Sequence, residues 1–303
     1  MKKRLLLGVL FGISTFTCEA ADAPAANAAV EPKGTYQIVE RGPNSRRWEQ
    51  VLTKQLPSGK TVKETHSYVE LATGLHVWQK GQWVDAQPFF EVFRDGIVAR
   101  QCRHQVVLAR NLNTAGAVDL QNGGDPLHPD VQRFRSHVFG LAFTDGASGN
   151  NVLLAQVKDS AAELIAPNQV IYRDAFEGDV KADVLYTLTR EGLSQWVLLR
   201  ENPPQPEDYQ IPSRFARLEV WTEWLEAPEP VKRLQVLRAE KDPALRAAMV
   251  DPDLRDEELH YGSMFMGSGA AFPLENDKPD EGYEPEVPVG KLFRAVHYRG
   301  NGW

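Results

Sequence analysis

Apolar side chains in this chain recur at every second position over short runs, and turn-forming residues separate the runs. Phe139, Leu141 and Phe143 alternate with Gly140 and Ala142, the run stops at Asp145-Gly146, and an apolar run restarts over 152–157. That is the pattern of two half-buried strands joined as a hairpin. Val184, Tyr186 and Leu188 alternate in the same way. Arg190-Glu191-Gly192 supplies a turn in which glycine is free to take a positive φ, and 193–199 forms the return strand. Leu218, Val220, Thr222 and Trp224 fall on one face of a further strand, with Glu219 and Glu223 on the other. Upstream, 36–40, 48–56, 61–71 and 75–79 read as short strands. Pro57-Ser58-Gly59-Lys60 and Lys80-Gly81 are turns among them.

Strands at this spacing predict an all-β, antiparallel sandwich-like fold. A parallel α/β sheet would require recurrent helices of about ten residues or more. One short helix is predicted near 243–250: Asp242 caps it, Pro243 suits its first position, and Pro252 stops it. The following 251–258 is acidic and reads as turn-rich, and 275–286 reads as a polar loop with Pro279 and Pro285. Residues 292–298 are strand-like. No repeat of 20–50 residues is present.

The N-terminus changes the picture of where the chain works. Lys2, Lys3 and Arg4 precede an apolar stretch over 5–16, and Cys18-Glu19-Ala20 places small residues for cleavage after Ala20. The stretch is too short to cross about 30 Å of hydrocarbon comfortably. Lipidation at Cys18 is the less favoured alternative, because Phe16-Thr17 is a poor lead-in. The expected organisation is a signal peptide over 1–20, a flexible linker over 21–34, a sandwich-like domain over 35–238, and a segment over 239–303. That last segment carries the helix, an acidic loop and terminal strands. The expected location is exported, meaning periplasm, cell surface or medium. Nothing after residue 20 is apolar enough to span a membrane.

Charge and cysteine narrow the partners. The full chain carries 34 basic and 41 acidic side chains; losing Lys2, Lys3, Arg4 and Glu19 leaves 31 against 40, a net −9. Nucleic acid and anionic membrane would be repelled at long range. Cys102 is then the lone thiol, and its strand-like context reads as buried and inert.

Standard chemistry is missing from the local spacings. No two of His66, His76, His104, His128, His137, His260 and His297 lie three to five residues apart, as a local zinc motif requires. Ser148 and Ser268 sit among glycines without the strand–turn–helix context of a nucleophile elbow. No phosphate-cradling loop occurs, and no cofactor is expected. A pair of glycosidase carboxylates can come from anywhere in the sequence, so spacing does not test it. The remaining candidates are aromatic. Trp78 and Trp83 flank Lys80-Gly81, and Trp221 and Trp224 share a strand three positions apart, hence on opposite faces. Exposed tryptophans can stack on sugar rings, while core packing is the competing reading.

Several of these segments together resemble a known kind of region. They are Trp78-Gln79-Lys80-Gly81-Gln82-Trp83-Val84-Asp85, Tyr172-Arg173-Asp174-Ala175-Phe176-Glu177-Gly178, Ala182-Asp183-Val184-Leu185-Tyr186 and Gly192-Leu193-Ser194-Gln195-Trp196-Val197-Leu198-Leu199. The series is similar to the N-terminal β-region of RHS-type and wall-associated large exported bacterial proteins. His260 to Phe272 and Val287-Pro288-Val289-Gly290-Lys291 resemble a later part of such regions. The likeness covers about 66–291. It implies a β-rich module on the export side, placed ahead of repeats. This chain carries no such repeats, which fits a short member or a truncated reading frame. No functional residue carries over. The expected function is a non-enzymatic structural or interaction module of the envelope or extracellular space, contacting other envelope proteins. Alternatives are a glycan-binding module contacting sugar through Trp78, Trp83, Trp221 or Trp224, and a carbohydrate-active hydrolase.

Overall fold

The computed structural model describes residues 35–272 and 286–293. The expected signal and tether, most of the polar stretch 275–286, and the end of the 292–298 run lie outside the described residues.

The fold is all-β, and every named strand pairing is antiparallel. Strands β1 (Gln37–Gly42), β2 (Ser45–Gln55) and β3 (Thr61–Leu71) form a three-stranded ribbon, followed by the hairpin β4 (His76–Gln79) and β5 (Gln82–Asp85). A seven-stranded sheet takes β6 (Glu91–Val92), β7 (Gly96–Ala99), β8 (His104–Ala109), β9 (Val118–Asn122), β10 (Arg133–Asp145) and β11 (Asn151–Gln156). A four-stranded meander runs through β12 (Ala162–Ala166), β13 (Gln169–Tyr172), β14 (Ala182–Leu188) and β15 (Leu193–Leu199). The chain then returns as β16 (Ala216–Glu226) to the free edge of β10, the seventh strand of that sheet. Strands β17 (Val231–Ala239), β18 (Asp253–Tyr261) and β19 (Met264–Met266) make another three-stranded sheet, and β20 (Gly269–Ala271) pairs β21 (Val287–Val289).

The seven-stranded and four-stranded sheets share one core, which makes the body sandwich-like. Ile97, Val106, Leu108, Val138 and Leu141 from the first sheet pack with Val170, Tyr172, Val184, Tyr186 and Leu188 from the second. Period-two alternation sends these side chains to one face of each sheet, where removing them from water stabilises the pairing. Tyr172 crosses the core and donates its hydroxyl to the Ala109 carbonyl at 2.6 Å. That bond meets the requirement that a buried phenol find a partner. Strand β10 is the hub: β16 runs along one edge, while β9 and β11 divide the other. Its Gly140 sits at a register shift, where an added Cβ would lie 2.5 Å from the Ala155 carbonyl oxygen. A smaller cluster of Phe134, Leu259, Tyr261 and Met264 joins this sheet to the C-terminal one.

The ribbon is different. No residue of its three strands is buried, and everything from 53 to 69 is exposed. Its base is held by a side-chain ladder instead of a core. The Arg46 guanidinium lies over Trp48, Trp48 stacks on Tyr68, and Tyr36 meets Tyr68 edge-on. Glu70 receives two hydrogen bonds from Arg46 and one from the Trp48 indole.

Three local expectations need revision. The acidic 251–258 is mostly strand β18, not a turn, because β17 and Lys291 supply it with cationic and amide partners. Residues 292 and 293, the described start of the expected last strand, are irregular. The 190–192 turn forms, but Gly192 is not in the positive-φ region. The Thr189 hydroxyl shapes that turn instead, accepting from the amides of Glu191 and Gly192. The helix forms as α1 (Pro243–Ala248), with Asp242 accepting from the amides of Ala244 and Leu245.

Candidate functional site

The hairpin β4–β5 is the local starting point. Lys80 and Gly81 both take positive φ, 50° and 81°, as a two-residue turn matched to the strand twist requires. This register sets Trp78 opposite Trp83 and His76 opposite Asp85, so all four share one face of the hairpin. The two indoles meet edge to face with centroids 5.1 Å apart. Both are half-buried.

That face forms one wall of a shallow cleft, open to solvent, with room between its walls for about one water. The turn after β9 forms the other wall. Asn122 is buried and accepts from the Gln132 amide at 2.7 Å while donating to Asp130 O and Ser263 Oγ. Gly123 and Gly124 lead into a tight 125–128 turn, in which Asp125 Oδ1 accepts from the amides of Leu127 and His128. His128 Nδ1 lies 3.5 Å from the same oxygen. Arg103 closes the cleft from the start of the β8 region, half-buried and with no carboxylate in ion-pair reach among the described residues.

His76 is the most constrained group here. Its ring is 1 % exposed, and Nδ1 lies 2.7 Å from the Gly42 carbonyl, which only accepts, so Nδ1 carries a proton. Nε2 lies 3.1 Å from Asp85 Oδ1 but without the angle of a hydrogen bond, which leaves it without a hydrogen-bond partner. Asp85 also lies 3.8 Å from Arg46 and 3.9 Å from Arg41. A polar chain therefore links the ribbon's Arg46–Glu70 pair to the hairpin and the cleft.

The other two tryptophans lie elsewhere. Trp221 stacks over Phe139 at 6.5 Å and donates to Glu219. Trp224, on the opposite face of β16, packs among Phe134, Tyr261 and Phe293. Only Trp78 and Trp83 are brought together. Sequence reasoning did not find His76, Arg103, Asn122, Asp125, His128 or Ser263 as companions of that pair. They are spread over nearly 190 residues and follow no spacing.

The cleft offers aromatic surface and one cation, Arg103, without an ion-pair partner among the described residues. It lacks the usual arrangement of a nucleophile and its base: Ser263 is held by Asn122, not by a histidine. Cys102 is buried nearby in sequence but not in this wall. Its thiol donates to Gln87 O, and burial pushes it up to about 11, so it stays protonated. Among the described residues no three His, Cys, Asp or Glu side chains converge as a metal site would need, and no helix is long and apolar enough to cross a membrane. Comparison with protein-family models, curated proteins and solved structures gives no match.

Proposed function

We propose that this chain is an exported, non-enzymatic interaction module of the cell envelope or extracellular space, and that it engages a glycan at the Trp78–Trp83 cleft. The observation that carries the reading is the cleft itself. Two tryptophans share one face beside polar groups from a second wall, and a buried His76 Nε2 lacks a hydrogen-bond partner. Sugar rings present C–H faces to aromatic rings and hydroxyls to polar groups, and a shallow, solvent-open cleft with an aromatic wall lets a ring stack from the solvent side. The resemblance of 66–291 to export-side β-modules supports the location, as does the signal-like N-terminus. A hydrolase would need two carboxylates facing across the site. The cleft lining includes one, Asp125, whose Oδ1 is committed to two backbone amides.

A glycan array with the mature protein tests this. Binding that falls about tenfold in Trp78→Ala and in Trp83→Ala, with Trp221→Ala unchanged, is expected, the scale of losing one aromatic contact and the area it buries. Silence of the wild type across the array sinks the glycan reading.

A further inference from the structure

We infer that the tryptophan cleft selects an acidic sugar, with Arg103 receiving the carboxylate of a uronate-type residue. The inference rests on the glycan reading of this same cleft and names its ligand class.

Three observations carry it. Arg103 lines the cleft half-buried and has no carboxylate within ion-pair distance among the described residues, although Arg41, Arg46 and Arg47 nearby are all paired. A guanidinium drawn partly out of water without a counter-charge is unfavourable, and a planar carboxylate matches its fork of donors with two parallel bonds. The cleft's own carboxylate does not serve, because Asp125 Oδ1 is tied to the amides of Leu127 and His128 and lies beside the His128 ring. The neighbouring His104 feels the same uncompensated charge: burial first, and then Arg103, hold its imidazole down at about 4.

Ligand geometry follows from the walls. The space between the walls holds about one water, so a pyranose stacked on Trp78 and Trp83 lies across the solvent-open mouth of the cleft. A carboxylate on that ring meets Arg103, which lines the same cleft. The protein's net negative charge opposes an anionic ligand only at range. At physiological ionic strength the Debye length is about 8 Å, so distant carboxylates are screened while a contact pair persists.

The experiment compares a galacturonic-acid oligomer with its methyl ester, which has the same rings and hydroxyls but no charge. Both are titrated calorimetrically into the mature protein at physiological ionic strength. The acid is expected to bind roughly 10- to 100-fold more tightly, the range for charge-assisted hydrogen bonds. Arg103→Gln, with unchanged circular dichroism, brings the acid down to the ester's affinity, and Arg103→Lys falls between. Equal affinity of acid and ester for the wild type overturns the role of Arg103 and leaves glycan binding standing. A preference for the acid that survives in Arg103→Gln overturns the assignment to that residue. Binding of neither oligomer, with other glycans bound on the array, overturns the acidic-sugar inference alone. Silence with every glycan overturns both readings. The acid–ester comparison needs no variant, so poor folding of Arg103→Gln does not protect the inference.

Discussion

At the residue scale the most committed polar group in the described chain is Asp256. It is wholly buried on β18, in a stretch whose composition reads as solvated. Burial works to raise its pKa. Hydrogen bonds from Gln235 and from the backbone and ammonium groups of Lys291 outweigh that effect and hold the carboxyl below its usual range. Lys291 Nζ also donates to the Gly267 carbonyl, so one lysine ties three segments together. A pair of this kind adds little beyond what well-packed apolar groups would, yet removing one member strands the other. Asp256→Leu is expected to lower unfolding free energy by about 3 kcal/mol, and Lys291→Met by a comparable amount. The double variant Asp256→Leu with Lys291→Met should recover most of the loss. Denaturant titration of the four proteins checks this; additive losses in a double variant would contradict the coupling.

At the element scale the ribbon β1–β3 is a sheet without a core. Its pairings are regular along all eleven positions of β2 and β3, but from 53 to 69 nothing is buried. Two-stranded hairpins in water are marginal. The tip should therefore open locally, while the Arg46–Trp48–Tyr68 ladder and the Asp85 contacts keep the base closed. Hydrogen exchange should show amides of 53–65 at least about a hundredfold less protected than those of β10 and β14. Equal protection would mean that something holds the tip as firmly as the core. The same contrast explains what was legible. Strands 61–71 and 193–199 and the helix at 243–248 can be read from the sequence because their signals are local: a glycine-bearing turn, alternation, and an Asp-Pro cap. Strand β18 cannot, because its buried acid, Asp256, is satisfied by residues 21 and 35 positions away. The tryptophan pair is readable, since a two-residue turn fixes its register. Its companions Arg103, Asp125 and His128 arrive only through tertiary packing of the β9 turn against the hairpin.

At the scale of the whole molecule, stability must come from the two-sheet core, because the one described cysteine is free. A core of this kind makes acid the sensitive direction. His104 sits on β8 with Nδ1 buried and unpartnered, and burial together with the Arg103 charge lowers its pKa from 6.5 to about 4. The unfolded chain thus binds a proton at this side chain near pH 6.5, and the folded chain resists it until near pH 4. Between those values the unfolded state holds more protons, so stability rises with pH across the window and levels off above it. A shift of this size corresponds to a few kcal/mol at most, on the order of 3. The depressed carboxylates act lower: Asp256 and Asp174 lose their contribution only as pH falls toward and through their folded values, below the ordinary 3.8. The two effects separate in the upper half of the window. Unfolding free energy measured by urea titration should fall from pH 6.5 to pH 5 in the wild type, and His104→Gln should flatten that part of the curve while keeping the steeper loss below pH 4. A wild-type curve already flat between pH 6.5 and 5 would show that His104 is free to protonate in the folded state. The β8 strand and the turn at 190–192 would then have to be less tightly closed over it than the buried Nδ1 requires.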